Sequence, residues 1–206
     1  MHALFVHGMG RTPLSGAPLL WRLRAQGVRT RVFGYVAALE NFDRIAARLH
    51  ARLLRLAQQG PYVVIGHSLG GVLLRAALDA LPPGTSLPQR IFLLGSPMRP
   101  SRLAQRMHKH PVYRLLAGDP GQLLANAQRM TAIPPAPIPT THIIGTKDFR
   151  ITAHQFGGEP NDGVVAASEV VAVTGHEEIH LPVMHTWLPS SPLVSAAILA
   201  RIKSVP

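Results

Sequence analysis

Gly66-His67-Ser68-Leu69-Gly70 is the stretch of this sequence whose residue types and spacing are best suited to chemistry. It fits G-x-S-x-G, the spacing that sets a serine on a sharp turn between a strand and a helix. A serine so placed is strained, and only residues without Cβ fit on either side of it. Gly66, His67 and Gly70 thus form a nucleophile elbow, and Ser68 is the candidate nucleophile. A hydroxyl is a weak nucleophile at neutral pH. It needs a base, an acid to orient that base, and N–H donors for the developing oxyanion. Two downstream aspartates follow strand or turn patterns: Asp148, in Gly-Thr-Lys-Asp, and Asp162, in Asn-Asp-Gly-Val-Val. Three histidines follow as candidate bases. His180 sits inside the alternation Ile179, Leu181, Val183, whereas His185 lies past the last strand pattern, in the loop before the final helix, and is the better candidate. His7 and His67 neighbour the site and are expected to pack and bond the loops that carry Met9 and Ser68. His176-Glu177-Glu178-Ile179-His180 matches H-E-x-x-H, which binds zinc only on a helix. Gly175 and Pro182 flank a strand pattern here, where the two imidazoles would stand roughly 13 Å apart, so no metal site is expected.

The elements that must position these groups alternate along the chain. Ala3–Val6, Arg29–Tyr35, Tyr62–Ile65, Arg90–Leu94, Thr140–Ile144 and Glu178–Val183 read as strands. Leu14–Gln26 is an amphipathic helix ended by Gly27, and Asn41 or Asp43 caps a long helix running to Gln59. A third helix follows the elbow, and a last one runs from Ser190-Ser191-Pro192 to Ile202. Residues 98–139 break the alternation with several prolines and short helical pieces near Ser101–His108, Val112–Leu116 and Gln122–Met130. They read as a small cap inserted over the carboxyl edge of the sheet, within a single domain spanning 1–206. Leu115, Leu116, Leu123, Leu124 and Met130 of this cap either line an acyl pocket or pack the cap onto the domain. Strands alternating with helices mean a parallel sheet flanked by helices.

At 206 residues the chain is long enough for one full hydrophobic core. It contains no cysteine, which excludes disulfides, thiolate metal sites and cysteine nucleophiles. No apolar run reaches the length of a membrane span, and Met1-His2 does not open a signal peptide, so a cytoplasmic location is expected. The net charge of +11 is almost all arginine. It reads as a solvated surface, with weak contact to an anionic membrane surface as the functional alternative. Aromatic residues make up only 5%, which argues against a stacking platform for nucleic acid, and none is expected as a specific partner.

Taken together, the motifs resemble those of a compact bacterial lipase or esterase of the α/β-hydrolase superfamily, over nearly the whole chain. Val6-His7-Gly8-Met9-Gly10 is similar to the lipase His-Gly loop, Gly95-Ser96-Pro97 with Ser101 and Ala104 to the stretch that opens the lid region, and Met184-His185-Thr186-Trp187-Leu188 to the histidine loop. Asn161-Asp162-Gly163-Val164-Val165 resembles the segment that carries the triad acid, which favours Asp162 over Asp148. The serine–acid–histidine order also agrees. The resemblance implies an α/β-hydrolase fold: a mostly parallel sheet of about six strands, helices on both faces and a small helical cap. It implies a catalytic triad of Ser68, Asp162 and His185, with the backbone N–H groups of Met9 and Leu69 as oxyanion hole. The expected activity is hydrolysis of small-molecule or lipid-like carboxylic esters through an acyl-enzyme, with no cofactor. Thioester cleavage, phospholipid deacylation and acyl transfer use the same machinery, and a non-catalytic binding protein on the same shell is the alternative from another class.

Overall fold

A computed structural model describes residues 1–148, 156–170 and 176–203. Six parallel strands, β1 (His2–Val6), β2 (Arg29–Phe33), β3 (Tyr62–His67), β4 (Ile91–Leu94), β5 (Thr140–Gly145) and β6 (Glu177–Leu181), form one sheet in the order β2-β1-β3-β4-β5-β6. The central strands are buried on both faces, which is why β1, β3 and β4 read as unbroken apolar runs rather than alternating ones. Leu4, Val6, Val64 and Leu93 point to one layer; Ala3, Phe5, Ile65 and Phe92 point to the other.

Two helices, α2 (Phe42–Ala57) and α3 (Leu69–Asp79), cover the first layer, and α1 (Ala17–Arg24) and α8 (Pro192–Lys203) cover the second. Helix α2 seats Ile45, Leu49, Leu53 and Leu56 at helical spacing, and the Asn41 side chain caps it by accepting from the Arg44 N–H at 2.8 Å. The expected first helix starts late: Pro13–Gly16 is a 3-10 turn, and α1 begins at Ala17. Gly16 lies against the Phe5 ring, where a Cβ would collide.

Between β4 and β5 run α4 (Arg102–Met107), α5 (Pro111–Ala125) and α6 (Ala127–Thr131). Sequence periodicity misplaces the breaks here. Helix α5 kinks at Gly118, and the piece expected over Gln122–Met130 is divided at Asn126, whose side chain caps α6 by accepting from the Arg129 N–H at 2.9 Å. Leu123, Leu124 and Met130 join the core and pack the segment onto the domain, whereas Leu115 and Leu116 stay exposed. A short helix, α7 (Ala167–Val170), follows the Asp162 loop. Among the described residues no helix is long and apolar enough to cross a membrane.

Candidate active site

The parallel register aligns the strand ends, pairing Val6 with Gly66 and His67 with Leu94, so the loops after β1, β3, β4 and β5 meet at one edge. Ser68 stands there between β3 and α3 with φ 52° and ψ −125°, the one non-glycine residue with positive φ among those described. The flanking glycines are steric necessities. A Cβ on Gly66 would lie 2.5 Å from the Gly71 Cα, and one on Gly70 would strike the Val6 carbonyl. The Ser68 N–H donates to the Leu94 carbonyl at 2.9 Å, and the Ser96 hydroxyl donates to the Ser68 carbonyl at 2.8 Å. The elbow is therefore tied to β4, and its strain is held by the surrounding bonds.

His185 opens a 3-10 turn (His185–Ser190) instead of lying in an open loop. Its Nδ1 donates to Asp162 Oδ2 at 2.7 Å, with both side chains buried. The carboxylate cannot swing away, because Oδ1 accepts from the N–H groups of Val164 and Val165 at 3.0 and 2.8 Å. The main chains are also joined: His185 N–H donates to the Asp162 carbonyl at 2.9 Å. Gly95, with φ 52°, leaves room for the pair, since a Cβ there would lie 2.8 Å from Asp162 Oδ2 and 3.0 Å from His185 Nδ1. The Ser68 hydroxyl and His185 Nε2 do not share a hydrogen bond here; such contacts often tighten only when substrate binds.

Asp148 lies apart from the imidazole. Its Oδ2 accepts from the Asn161 side chain at 3.2 Å and so braces the loop that holds Asp162. Met9 is half-buried beside the elbow, and a Cβ on the adjoining Gly8 would lie 3.1 Å from Ser68 Cβ. Leu69 is the first residue of α3, where helix geometry leaves the N–H without an intrahelical acceptor. Among the described residues, the Met9 N–H has no protein acceptor, and the Leu69 N–H has none outside its own helix.

The two neighbouring histidines bond loops. His7 stacks on Tyr35 at 4.3 Å between centroids, and the Tyr35 hydroxyl donates to the His7 carbonyl at 2.8 Å. His67 Nε2 lies 3.0 Å from the His185 carbonyl, which makes it the protonated nitrogen, and the rings are 4.8 Å apart. Burial, reinforced by His185, pushes the His67 imidazole well below its ordinary value. His176 and His180 flank or lie on β6 rather than a helix; His176 instead meets His142, nitrogen to nitrogen, at 3.3 Å.

Beside Met9 opens an apolar groove of about 320 Å³, lined by Met107, Val112, Tyr113 and Leu116 from the segment between β4 and β5. The ensemble is a strained serine beside a buried imidazole–carboxylate pair, free N–H groups and an apolar groove, which suits acyl transfer.

A family model of the thioesterase domain matches residues 20–135, more than half of the chain. The chain belongs to the thioesterase domain family. No curated protein matches it. Among solved structures, this thioesterase domain is similar to the mature Bacillus licheniformis lipase BlEst2, at TM-score 0.78 and 15% identity over 97% of this chain and 91% of that one. It is also similar to the RedJ thioesterase of the prodiginine biosynthetic pathway in Streptomyces coelicolor, at TM-score 0.68 and 19% identity over 100% and 90%. The methylesterase MES16 from Arabidopsis superposes at TM-score 0.61 with 16% identity, over 98% and 99%. The fold is that of the α/β-hydrolases, and the chain is a hydrolase of that type.

Two buried charges of this thioesterase domain escape a reading of the sequence. Arg75, on α3 and 2% exposed, donates to the carbonyls of Pro97, Ile133 and Pro134, at both ends of the segment between β4 and β5. Glu169 on α7 accepts from the N–H of Arg102 and from that of Ala166, each at 2.7 Å, and so ties α4 to the Asp162 loop. Burial pushes its carboxyl up.

Proposed function

We propose that the protein hydrolyses acyl esters through a covalent acyl-enzyme, with Ser68 as nucleophile, His185 as base and then acid, and Asp162 as the group that orients His185. Ser68 Oγ attacks the acyl carbonyl carbon and passes its proton to His185 Nε2. Asp162 holds the proton on Nδ1 and stabilises the imidazolium. The N–H groups of Met9 and Leu69 stabilise the tetrahedral oxyanion, helped by the positive end of α3. Collapse expels the alcohol, which takes the proton from His185. Water, deprotonated by the same imidazole, then attacks the acyl–Ser68 carbonyl and frees the acid and the serine. Residues 98–139 act as a small cap whose apolar wall receives the acyl chain.

The observation that supports this reading most is the 2.7 Å Asp162–His185 contact at the edge where the Ser68 elbow emerges. The family match favours a second reading, the same steps on a thioester, with a thiol as leaving group. Turnover of p-nitrophenyl esters and of the matching acyl thioesters, with Ser68→Ala beside the parent, tests both. Loss of turnover to the level of the uncatalysed reaction, with an unchanged circular dichroism spectrum, is expected of Ser68→Ala. Retained turnover would overturn the assignment.

A further inference from the structure

The peptide between Gly8 and Met9 carries a donor on one side and an acceptor on the other. Its nitrogen bears the Met9 N–H, which has no protein acceptor among the described residues. Its carbon bears the Gly8 carbonyl, and in a trans peptide the two point opposite ways. Turned over, this peptide would aim a carbonyl at a developing oxyanion and repel it. The residue beside it offers little resistance to such a rotation, because it is a glycine. No side chain can replace Gly8 to stiffen the loop, since a Cβ there would stand 3.0 Å from His67 Nδ1. The plane has to be held from elsewhere.

The Gly8 carbonyl is held twice. It accepts from the Arg11 N–H at 3.3 Å, which closes a turn, and from His7 Nδ1 at 2.8 Å. The second bond comes from a ring with no room to move. His7 is 1% exposed and lies face to face with the buried ring of Tyr35, with 6° between their planes. The Tyr35 hydroxyl anchors the His7 main chain by donating to its carbonyl. On the far side of the imidazole, the backbone N–H of Tyr35 approaches His7 Nε2 at 3.4 Å. A nitrogen that receives an N–H carries no proton of its own, so the single proton of the neutral ring sits on Nδ1, facing the Gly8 carbonyl. Burial, partly offset by the bond to Gly8, lowers the His7 pKa and favours that neutral ring. Both contacts of the imidazole thus select one tautomer.

We infer that His7 is a positioning residue of the oxyanion hole. Tyr35 holds it in the Nδ1–H tautomer, and its bond to the Gly8 carbonyl keeps the Met9 N–H turned toward the acyl oxygen. His7 acts through the peptide and transfers no proton. What the Met9 N–H meets rests on the acyl-hydrolase reading, whereas the tautomer of His7 does not.

Two measurements test this. The first is the ¹⁵N spectrum of the histidine rings in the parent protein at neutral pH, with the His7 signals assigned by their loss in His7→Asn. A protonated Nδ1 and a bare Nε2 are expected, and a proton on Nε2 would overturn the assignment whatever the activity. The second compares His7→Asn with His7→Leu in ester turnover. The two side chains have the same shape and both give up the stack on Tyr35, but only Asn places an N–H where Nδ1 stood. His7→Leu should lower kcat on the order of 10²-fold with KM within about twofold, as expected when an oxyanion donor is misaimed. His7→Asn should recover kcat to within about tenfold of the parent. Equal losses in the two variants, or a loss carried by KM, would reduce His7 to filling and overturn its role. If the parent turns over neither esters nor thioesters, the acyl-hydrolase reading itself has failed, and the role in the oxyanion hole falls with it.

Discussion

Asp162 and Asp148 are both carboxylates in loops after β5, yet their surroundings give them different work. Asp162 has one oxygen fixed by two backbone N–H groups and the other on His185, whereas Asp148 touches the Asn161 side chain. Replacing Asp162 by Asn turns the Oδ2 acceptor into a donor or frees the imidazole to take the wrong tautomer. A fall in kcat on the order of 10⁴ is expected for Asp162→Asn, against less than about tenfold for Asp148→Asn. Single-turnover kinetics on the two variants decide the matter, and a larger loss at Asp148 would reassign the acid. His67 acts one bond further out. Its Nε2–H on the His185 carbonyl links the residue before Ser68 to the main chain of His185. His67→Gln keeps an N–H that can reach that carbonyl, and His67→Phe does not. About tenfold or more should therefore separate their kcat values, with KM little changed. Equal values would mean that the ring matters only as filling.

At the scale of elements, the segment between β4 and β5 depends on Arg75. A guanidinium that is 2% exposed and meets only carbonyls has given up its water without a counter-charge, and burial lowers its pKa to about 10, so it remains charged at neutral pH. Its truncation leaves the Pro97, Ile133 and Pro134 carbonyls unpartnered in the interior. Arg75→Ala should cost about 3–5 kcal/mol in urea unfolding, and proteolysis should cut first within residues 98–139. A loss below about 1 kcal/mol would show that the segment is held by its apolar contacts instead. Nothing near Arg75 in sequence announces this. In Leu73-Leu74-Arg75-Ala76-Ala77 it reads like any solvated arginine, because its partners lie far along the chain and are backbone atoms. The elbow was legible for the opposite reason: the glycines that its backbone needs sit beside Ser68. The strands and the helix faces followed from local apolar periods. The division at Asn126 did not, because a capping Asn inside a helical period looks like a polar position. Nor did the fate of Leu115 and Leu116 against that of Leu123 and Leu124, since periodicity marks an apolar face without saying what covers it.

The molecule as a whole keeps several imidazoles inside, and that makes its stability depend on pH in a defined direction. Burial lowers the pKa of His7, drives that of His67 well down, and brings His142 to about 4. In the unfolded chain each of these returns to about 6.5. Below that value the unfolded state therefore binds more protons than the native one, and stability falls as pH falls. Each histidine contributes up to about 1.4 kcal/mol per pH unit. For His142 the loss extends from about 6.5 down to the folded value of about 4. Carboxylates held low by arginines, such as Asp119 and Glu177, lose their contribution only below their unfolded values of about 4, so they act later. Glu169, pushed up by burial, works the other way above about 4.5, one group against several imidazoles. Urea unfolding should accordingly show a steep decline in stability between pH 7 and pH 5. His142→Leu should flatten that decline by about one proton, because it removes one titrating group from both states. A stability that is level from pH 7 to pH 5 would mean that the buried imidazoles are charged in the native state, contrary to their surroundings.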